Sequence, residues 1–372
     1  MPLTARVEAH KVRWGILGCG WIASVFTKDL LVDPATRGVY DVQHIVQAAG
    51  SSSSLDKAKE FLADVGAPDS RAYGSYGELV ADPNVDIIYV ATPHSHHFAN
   101  ALLALNAGKH VVCEKPFTVN AEQTKILVKL ARAKKLFLME AVWTRFFPLS
   151  IAVREYVKRG QIGAVKRVIA DLSLPQAPET HFADSHRMVN PDLAGGCLLD
   201  LGLYPLTWVY QILYHTQPEE SRKAPSITGS MNLYRTGVDD NTVVVCTWPD
   251  TIGIATTNLY VATDPSAIGT PCVKIQGTGG EIQVAHPAYR PTKVTVIRGI
   301  GPEAVTESSE FPMPPGHGTH WEADAAARCL RDGKLEDDMM PLEESIVIME
   351  AMDKVREISG LRYPESIESL EQ

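Results

Sequence analysis

No two of the six cysteines form a CxxC pair: Cys19, Cys113, Cys197, Cys246, Cys272 and Cys329 lie far apart along 372 residues. That spacing excludes a zinc ribbon and a disulfide-stapled miniprotein, and reads as the reduced, buried thiols of a cytoplasmic protein. No uninterrupted apolar run approaches the roughly 18 residues of a membrane span, and Met1 to Arg13 is too polar for a secretory leader. Positive charge is also in deficit. A formal net charge of -9 leaves no basic field to neutralise phosphates, so neither nucleic acid nor membrane is an expected partner. A small anionic ligand remains open, because backbone N–H groups at a helix start can hold one locally. Internal repeats are lacking, and the longest low-complexity tract is Ser51 to Ser54.

What is present is an ordinary globular composition, 45% hydrophobic and 21% charged, in a chain long enough for two domains with separate cores. From Val12 to Ala141 short apolar runs alternate with helical spacing, the mark of βαβ units in a doubly wound parallel sheet. The spacing predicts strands over Val12 to Leu17, Gln43 to Ala49, Val85 to Ala91, His110 to Cys113 and Leu136 to Glu140. It predicts helices near Trp21 to Leu31, Leu55 to Val65, His97 to Asn106 and Ala121 to Ala133. After Pro148 a helix over Leu149 to Arg159 precedes runs with a period close to two: Thr242 to Trp248, Gly253 to Val261, Cys272 to Gln276, Glu281 to Val284 and Lys293 to Ile297. Helices over Thr319 to Arg331 and Leu342 to Ser359 close the chain. The expected fold is an α/β doubly wound domain, residues 1–145, followed by an α+β domain, residues 146–372, whose mainly antiparallel sheet leaves one face free for substrate or another subunit.

The first strand runs into Gly18-Cys19-Gly20-Trp21-Ile22-Ala23, a GxGxxA turn at a helix start. In such a dinucleotide-binding turn Gly18 allows the tight bend, Gly20 lets backbone approach a pyrophosphate, and Ala23 permits close helix-to-strand packing. Trp21 and Ile22 extend the same contact. At the end of the second strand an NAD-selective domain places an acid, but here stand Ser51, Ser52 and Ser53, with Lys57 one turn on. A carboxylate 4 Å from even one negative charge would cost about 4 kcal/mol at an effective dielectric near 20. Its absence favours NADP, with NAD as a weaker cofactor; the same serines can also cap the next helix. Thr92-Pro93-His94-Ser95-His96-His97 follows the strand over Val85 to Ala91, on the edge where such sheets bind ligands. Three histidines in four residues invite a metal reading, but no cysteine or carboxylate lies nearby in sequence, so we expect no metal; Thr92, Pro93, His94 and His97 are read as lining the cofactor cleft.

The next strand ends in Glu114-Lys115-Pro116. A GxGxxA turn, a TPxxxH segment and an EKP tripeptide in this order, with Glu140 to Phe146 and Gly195 to Pro205, resemble the Gfo/Idh/MocA oxidoreductase family. The resemblance implies a Rossmann domain, an open-faced sheet domain and a homodimer formed through that sheet. It makes Lys115 the lysine of the EKP tripeptide and Tyr204 the acid/base of the DxGxYP segment. Asp200, four residues before Tyr204 and one turn away if the segment is helical, can orient Lys115 or a sugar hydroxyl, or equally be a helix-terminal charge. Glu114, Trp143 and Arg145 are assigned to the cofactor side, and His186 and Arg187 to the substrate. Some NADP-using members carry an arginine after the second strand, where this chain has serines, which softens the expected preference over NAD.

The chemistry agrees with that assignment. Oxidising a C–OH group requires loss of the hydroxyl proton as hydride leaves the carbon, and a tyrosine with a pKa of about 10 is a poor base until a nearby ammonium favours its phenolate. Within the family the resemblance points to oxidation of the anomeric carbon of D-xylose to the aldonolactone, with D-glucose as a slower sugar. The alternatives are a trans-dihydrodiol dehydrogenase, acting on a cyclic diol, and a non-catalytic NADP-sensing regulator, which would need no pairing of Lys115 with Tyr204.

Overall fold

The computed structural model describes residues 8–371. Strands β1 (His10–Leu17), β2 (Val42–Gly50), β3 (Arg71–Tyr73), β4 (Ile87–Val90), β5 (His110–Glu114) and β6 (Leu138–Ala141) form a parallel sheet in the order β3-β2-β1-β4-β5-β6. Helices α1 (Trp21–Leu31), α2 (Leu55–Val65), α3 (Tyr76–Ala81), α4 (His97–Asn106) and α5 (Ala121–Lys134) cover it. Several of these helices start where a side chain satisfies a free N–H: Ser54 accepts from Lys57 N, Ser75 from Glu78 N and Asn120 from Gln123 N. Every residue of β4 is buried, as its apolar run predicted, and Phe26 of α1 stacks on Tyr89 at 3.7 Å between centroids. The strand order reverses between β1 and β4, which opens a crevice at their carboxyl ends.

Helix α6 (Pro148–Lys158) leads into a second sheet, built from β7 (Val165–Asp171), β8 (Ser226–Leu233), β9 (Asp239–Thr247), β10 (Ile252–Asn258), β11 (Pro271–Gly277), β12 (Gly280–Ala285), β13 (Lys293–Arg298) and β14 (Val305–Glu310). Its order is β14-β13-β12-β11-β7-β10-β9-β8, antiparallel except where β7 runs parallel to β10. Between β7 and β8 come the short α7 (Pro178–His181), a π-helical turn over Leu198–Gly202 and α8 (Leu203–Leu213), which packs on β7 and β10. The opposite face leaves Val243 exposed, with Val245 and Ile254 half-buried.

Helices α9 (His320–Arg331) and α10 (Leu342–Ser359) return to the first sheet, and α11 (Glu365–Glu368) follows them. Helix α9 packs on β1 and β2, where Asp324 takes Arg37 at 2.7 Å and His44 at 2.9 Å. Helix α10 packs between the two sheets, on β8 and α8 of the second and on α5 and β6 of the first. The two sheets lie on either side of residue 145, while α9 of the second half covers the first sheet and α10 bridges the two. Among the described residues no helix is long and apolar enough to cross a membrane.

Candidate active site

Four loops at the carboxyl edge of the first sheet meet residues of the second half around one cleft of about 550 Å³. Gly20, Trp21 and Ile22 follow β1, Thr92, Pro93 and His94 follow β4, Glu114 and Lys115 lie at the end of β5, and Trp143 follows β6. Across from them stand Arg187, Asp200, Leu201 and Tyr204.

The end where the sequence motif leads one to expect a dinucleotide is shaped by glycine. Gly18 has φ +108°, and a Cβ there would lie 2.8 Å from the Ala91 carbonyl oxygen. Gly20 meets nothing within 4 Å at its Cβ position and begins α1 without a side-chain cap. A bare, uncapped helix start facing a cleft fits a pyrophosphate, which α1 would hold on its positive end. Beyond β2, Ser51 is buried, its hydroxyl lies 3.0 Å from that of Ser53, and Ser52, Ser53 and Lys57 are exposed. Ser54 caps α2, so the tract serves the helix while leaving hydroxyls, and no acid, at the end of β2; in the first turn of α2 Asp56 lies next to Lys57 and pairs with Lys59. The neighbouring Cys19 thiol donates to Gly50 O, and burial pushes it up to about 11.

At the other end Asp200 is the hub. Lys115 Nζ donates to its backbone oxygen at 2.8 Å and to Oδ1 at 3.1 Å, Arg187 Nη1 donates to Oδ1 at 2.9 Å, and His94 Nε2 stands 3.6 Å away. Burial alone would raise this carboxyl; Lys115, His94 and Arg187 instead hold it well below the usual carboxylate range. Asp200 sits in the π-helical turn that precedes α8, and one turn on, Tyr204 turns its ring to Lys115, whose Nζ is 5.1 Å from the ring centroid. The turn is fixed from below: Asp239 accepts from Leu198 N at 2.8 Å and from the Cys197 thiol at 3.0 Å. Gly196, φ +113°, is required there because a Cβ would lie 2.1 Å from Asp239 Oδ1. Trp143 Nε1 donates to Tyr204 Oη at 2.8 Å, and among the described residues the phenol's own proton has no protein acceptor.

The charge around Tyr204 differs from the sequence expectation. Burial raises its phenol well above the ordinary value, and Glu114 and Asp200 add to the rise, while the Trp143 hydrogen bond opposes it. Burial thus outweighs the nearby ammonium of Lys115, which Asp200 pairs, and the phenol stays above its ordinary value instead of being drawn down toward phenolate.

Residues 12–142 match the oxidoreductase family with an NAD-binding Rossmann fold, and residues 151–283 match the GFO/IDH/MocA C-terminal domain. The chain belongs to the Gfo/Idh/MocA family. It is 57% identical over 370 residues to a D-xylose 1-dehydrogenase (NADP(+)) of Hypocrea jecorina, covering 96% of this chain and 94% of that one. It is 35% identical to the trans-1,2-dihydrobenzene-1,2-diol dehydrogenase of Bos taurus, covering 95% of this chain and 98% of that one. The fold is shared with a 3-ketoreductase from Actinomadura kijaniata bound to NADP and TDP-benzene, at TM-score 0.75 and 23% identity, covering 93% of this chain and 97% of that one. An aldose-aldose oxidoreductase from Caulobacter crescentus gives TM-score 0.75 at 20% identity, covering 94% and 98%.

Two residues expected in this Gfo/Idh/MocA site lie elsewhere. Arg145 is fully buried, its guanidinium turned from the cleft to Glu344 and the Met339 carbonyl, so it joins the β6 loop to α10. A loop residue after the last strand points inward here because a buried carboxylate awaits it. His186 is exposed and stacks on Phe182 at 4.6 Å; its neighbour Arg187 is the one that reaches Asp200. The three histidines after β4 diverge. His94 faces Asp200, His96 meets the Ser95 hydroxyl, and His97 borders the cleft with its ring nitrogens on Pro116 O at 2.7 Å and Thr92 O at 2.8 Å. Glu114 accepts from Tyr89 Oη and from Lys115 N, which fixes the start of the lysine loop.

Sequence reasoning missed Leu174, Tyr289, His317 and Thr319, which also line the cleft. A histidine between two glycines, Gly316-His317-Gly318, was the one available signal: a polar ring on a stretch of backbone that only glycine can bend.

Proposed function

We infer that the protein is an NADP-dependent dehydrogenase that oxidises the anomeric carbon of D-xylose to the aldonolactone, with D-glucose as a slower substrate. The observation that carries this reading is the meeting of Lys115 and Tyr204, from the two halves of the chain, in one cleft beside an uncapped helix start. The 57% identity to a D-xylose 1-dehydrogenase (NADP(+)) supports the sugar and the cofactor, and the acid-free end of β2 agrees with a 2′-phosphate. Gly18, Gly20 and Ile22 would hold the pyrophosphate and Ser51 to Ser53 with Lys57 the ribose phosphate. When bound, the cofactor supplies the hydride acceptor.

The chain supplies the proton chemistry. An ammonium has three donors; Asp200 takes two from Lys115, which leaves one for the substrate oxygen as negative charge develops on it. Tyr204 Oη takes the C1 hydroxyl proton in oxidation and returns it in reduction. Because its phenol is raised, the base form grows as pH rises, so oxidation speeds up toward alkaline pH while reduction is favoured near neutrality. Arg187 stabilises Asp200 and borders the space for the sugar.

The half-exposed apolar strip of Val243, Val245 and Ile254 on the open sheet supports a homodimer through that face. The free, mostly buried cysteines are in keeping with a cytoplasmic location. A second reading, oxidation of a trans-dihydrodiol, draws on the aromatic wall of Trp143 and Tyr289 and on the 35% identity to such enzymes. The test follows NADPH absorbance with D-xylose, D-glucose and trans-1,2-dihydrobenzene-1,2-diol, using native protein and Lys115→Ala. D-Xylose is expected to give the highest kcat/KM, lost in the variant. A diol preferred over every sugar overturns the substrate, and equal rates for the two proteins overturn the mechanism.

A further inference from the structure

The segment Gly316 to Thr319 is held in place with more bonds than a connecting loop needs. Asp29 of α1 accepts from His317 N at 2.7 Å and from Gly318 N, Thr319 N and Thr319 Oγ1, each at 2.8 Å. Arg290 Nε donates to His317 O at 2.8 Å. Gly316 and Gly318 take φ +107° and +113°, and a Cβ on Gly318 would press on the Phe147 ring at 3.1 Å. All of this presents one side chain. The His317 ring lies parallel to Trp143 at 5.0 Å and 13°, with the edge of Trp21 at 6.1 Å, on the wall of the cleft that holds Lys115, Asp200 and Tyr204.

Among the described residues nothing hydrogen-bonds to either ring nitrogen of His317. A half-buried imidazole fixed by stacking alone keeps its polar edge for a ligand. Burial and Arg290 both lower its pKa, so at neutral pH the ring offers one donor and one acceptor, which matches a hydroxyl group, itself both donor and acceptor. The ring meets Trp143, which bonds Tyr204, on one side and Trp21, beside Gly20, on the other, so its free edge lies on the cleft wall between the proton-moving group and the helix start.

We propose that His317 binds a ring hydroxyl of the sugar away from the reacting carbon and so selects polyhydroxylated substrates over cyclic diols. This rests on the sugar reading above and adds the residue that enforces it. A diol of an otherwise apolar ring has no further hydroxyl to offer, whereas a pyranose has several. His317→Phe keeps the stack and removes both nitrogens; His317→Gln restores a donor and an acceptor. For His317→Phe the KM for D-xylose is expected to rise about 5- to 20-fold, with KM for trans-1,2-dihydrobenzene-1,2-diol and Kd for NADP+, read by tryptophan fluorescence, within about two-fold of native. His317→Gln is expected to recover part of the xylose KM. An unchanged xylose KM, an equal shift for both substrates, or a change that falls on the NADP+ Kd overturns the role of His317 alone. Native protein inert on every aldose overturns the sugar reading itself, and this role with it.

Discussion

At one end the cleft is lined by consecutive residues, Gly20 to Ile22, set by the turn at Gly18; at the other it is lined by side chains drawn from positions 115, 187 to 204, 289 and 317. The first end works by leaving atoms out, since a Cβ at Gly18 would strike Ala91 and one at Gly20 would occupy the open approach to α1. The second works by tying distant segments to buried acids: Asp200 gathers Lys115, Arg187 and His94, and Asp29 gathers the His317 loop. A backbone wall can be written as a short motif, whereas a wall held by acids exists only once the chain has folded.

If the acid-held end does the chemistry, Tyr204→Phe should cost about 10²- to 10⁴-fold in kcat/KM, with NADP+ affinity retained because the backbone end is untouched. Measuring kcat/KM and NADP+ Kd on the same preparation checks both halves of that statement. Arg145→Met should then act on stability and not on the cofactor. Leaving Glu344 buried without its arginine should cost about 3–5 kcal/mol in denaturant unfolding, while a large rise in NADP+ Kd would return Arg145 to the cleft.

Ser52→Asp puts an acid where the dinucleotide end has none. NADP+ Kd should rise about 10²-fold relative to NAD+, and an unaltered ratio would remove the serine tract from cofactor selection. The smallest effect belongs to Asp29. Burial opposes its ionisation, but His320, His317 N–H and Thr319 lower it from 3.8 to about 2. A folded value below the unfolded one means a stabilisation of about 2 kcal/mol, present above roughly pH 5 and lost as pH falls toward 2. Asp29→Asn should lower stability at pH 7 and flatten that acid limb, seen by urea unfolding at stepped pH.

The same contrast decides how much the sequence disclosed. Helices over Trp21–Leu31, Leu55–Val65 and His97–Asn106 fall where the periodicity predicts them, because each is amphipathic and laid on a sheet. Lys115, Asp200 and Tyr204 were legible because each sits in a short motif, and they do share a cleft. Helix α8 was not foreseen: all of its residues from Leu203 to Leu213 are buried, so no polar face marks a period. Strand β14 escaped for the opposite reason, being a polar edge strand with no buried face; β8 alternates only weakly, with Ile227 and Met231 half-buried between polar residues, and β3 is only three residues long. Arg145 was misplaced because its partner Glu344 stands 199 residues away. The charge at Tyr204 differs from expectation because the phenol is buried and Asp200 pairs the ammonium of Lys115, both of which only the folded geometry reveals.

A double-mutant cycle addresses the joint action of the two halves most directly, with kcat/KM for D-xylose oxidation measured for native protein, Lys115→Ala, Tyr204→Phe and the pair together. Groups that serve one substrate oxygen act as a unit, so the double variant should be little worse than the poorer single variant. Losses that multiply, each residue acting as though the other were absent, would contradict a shared site.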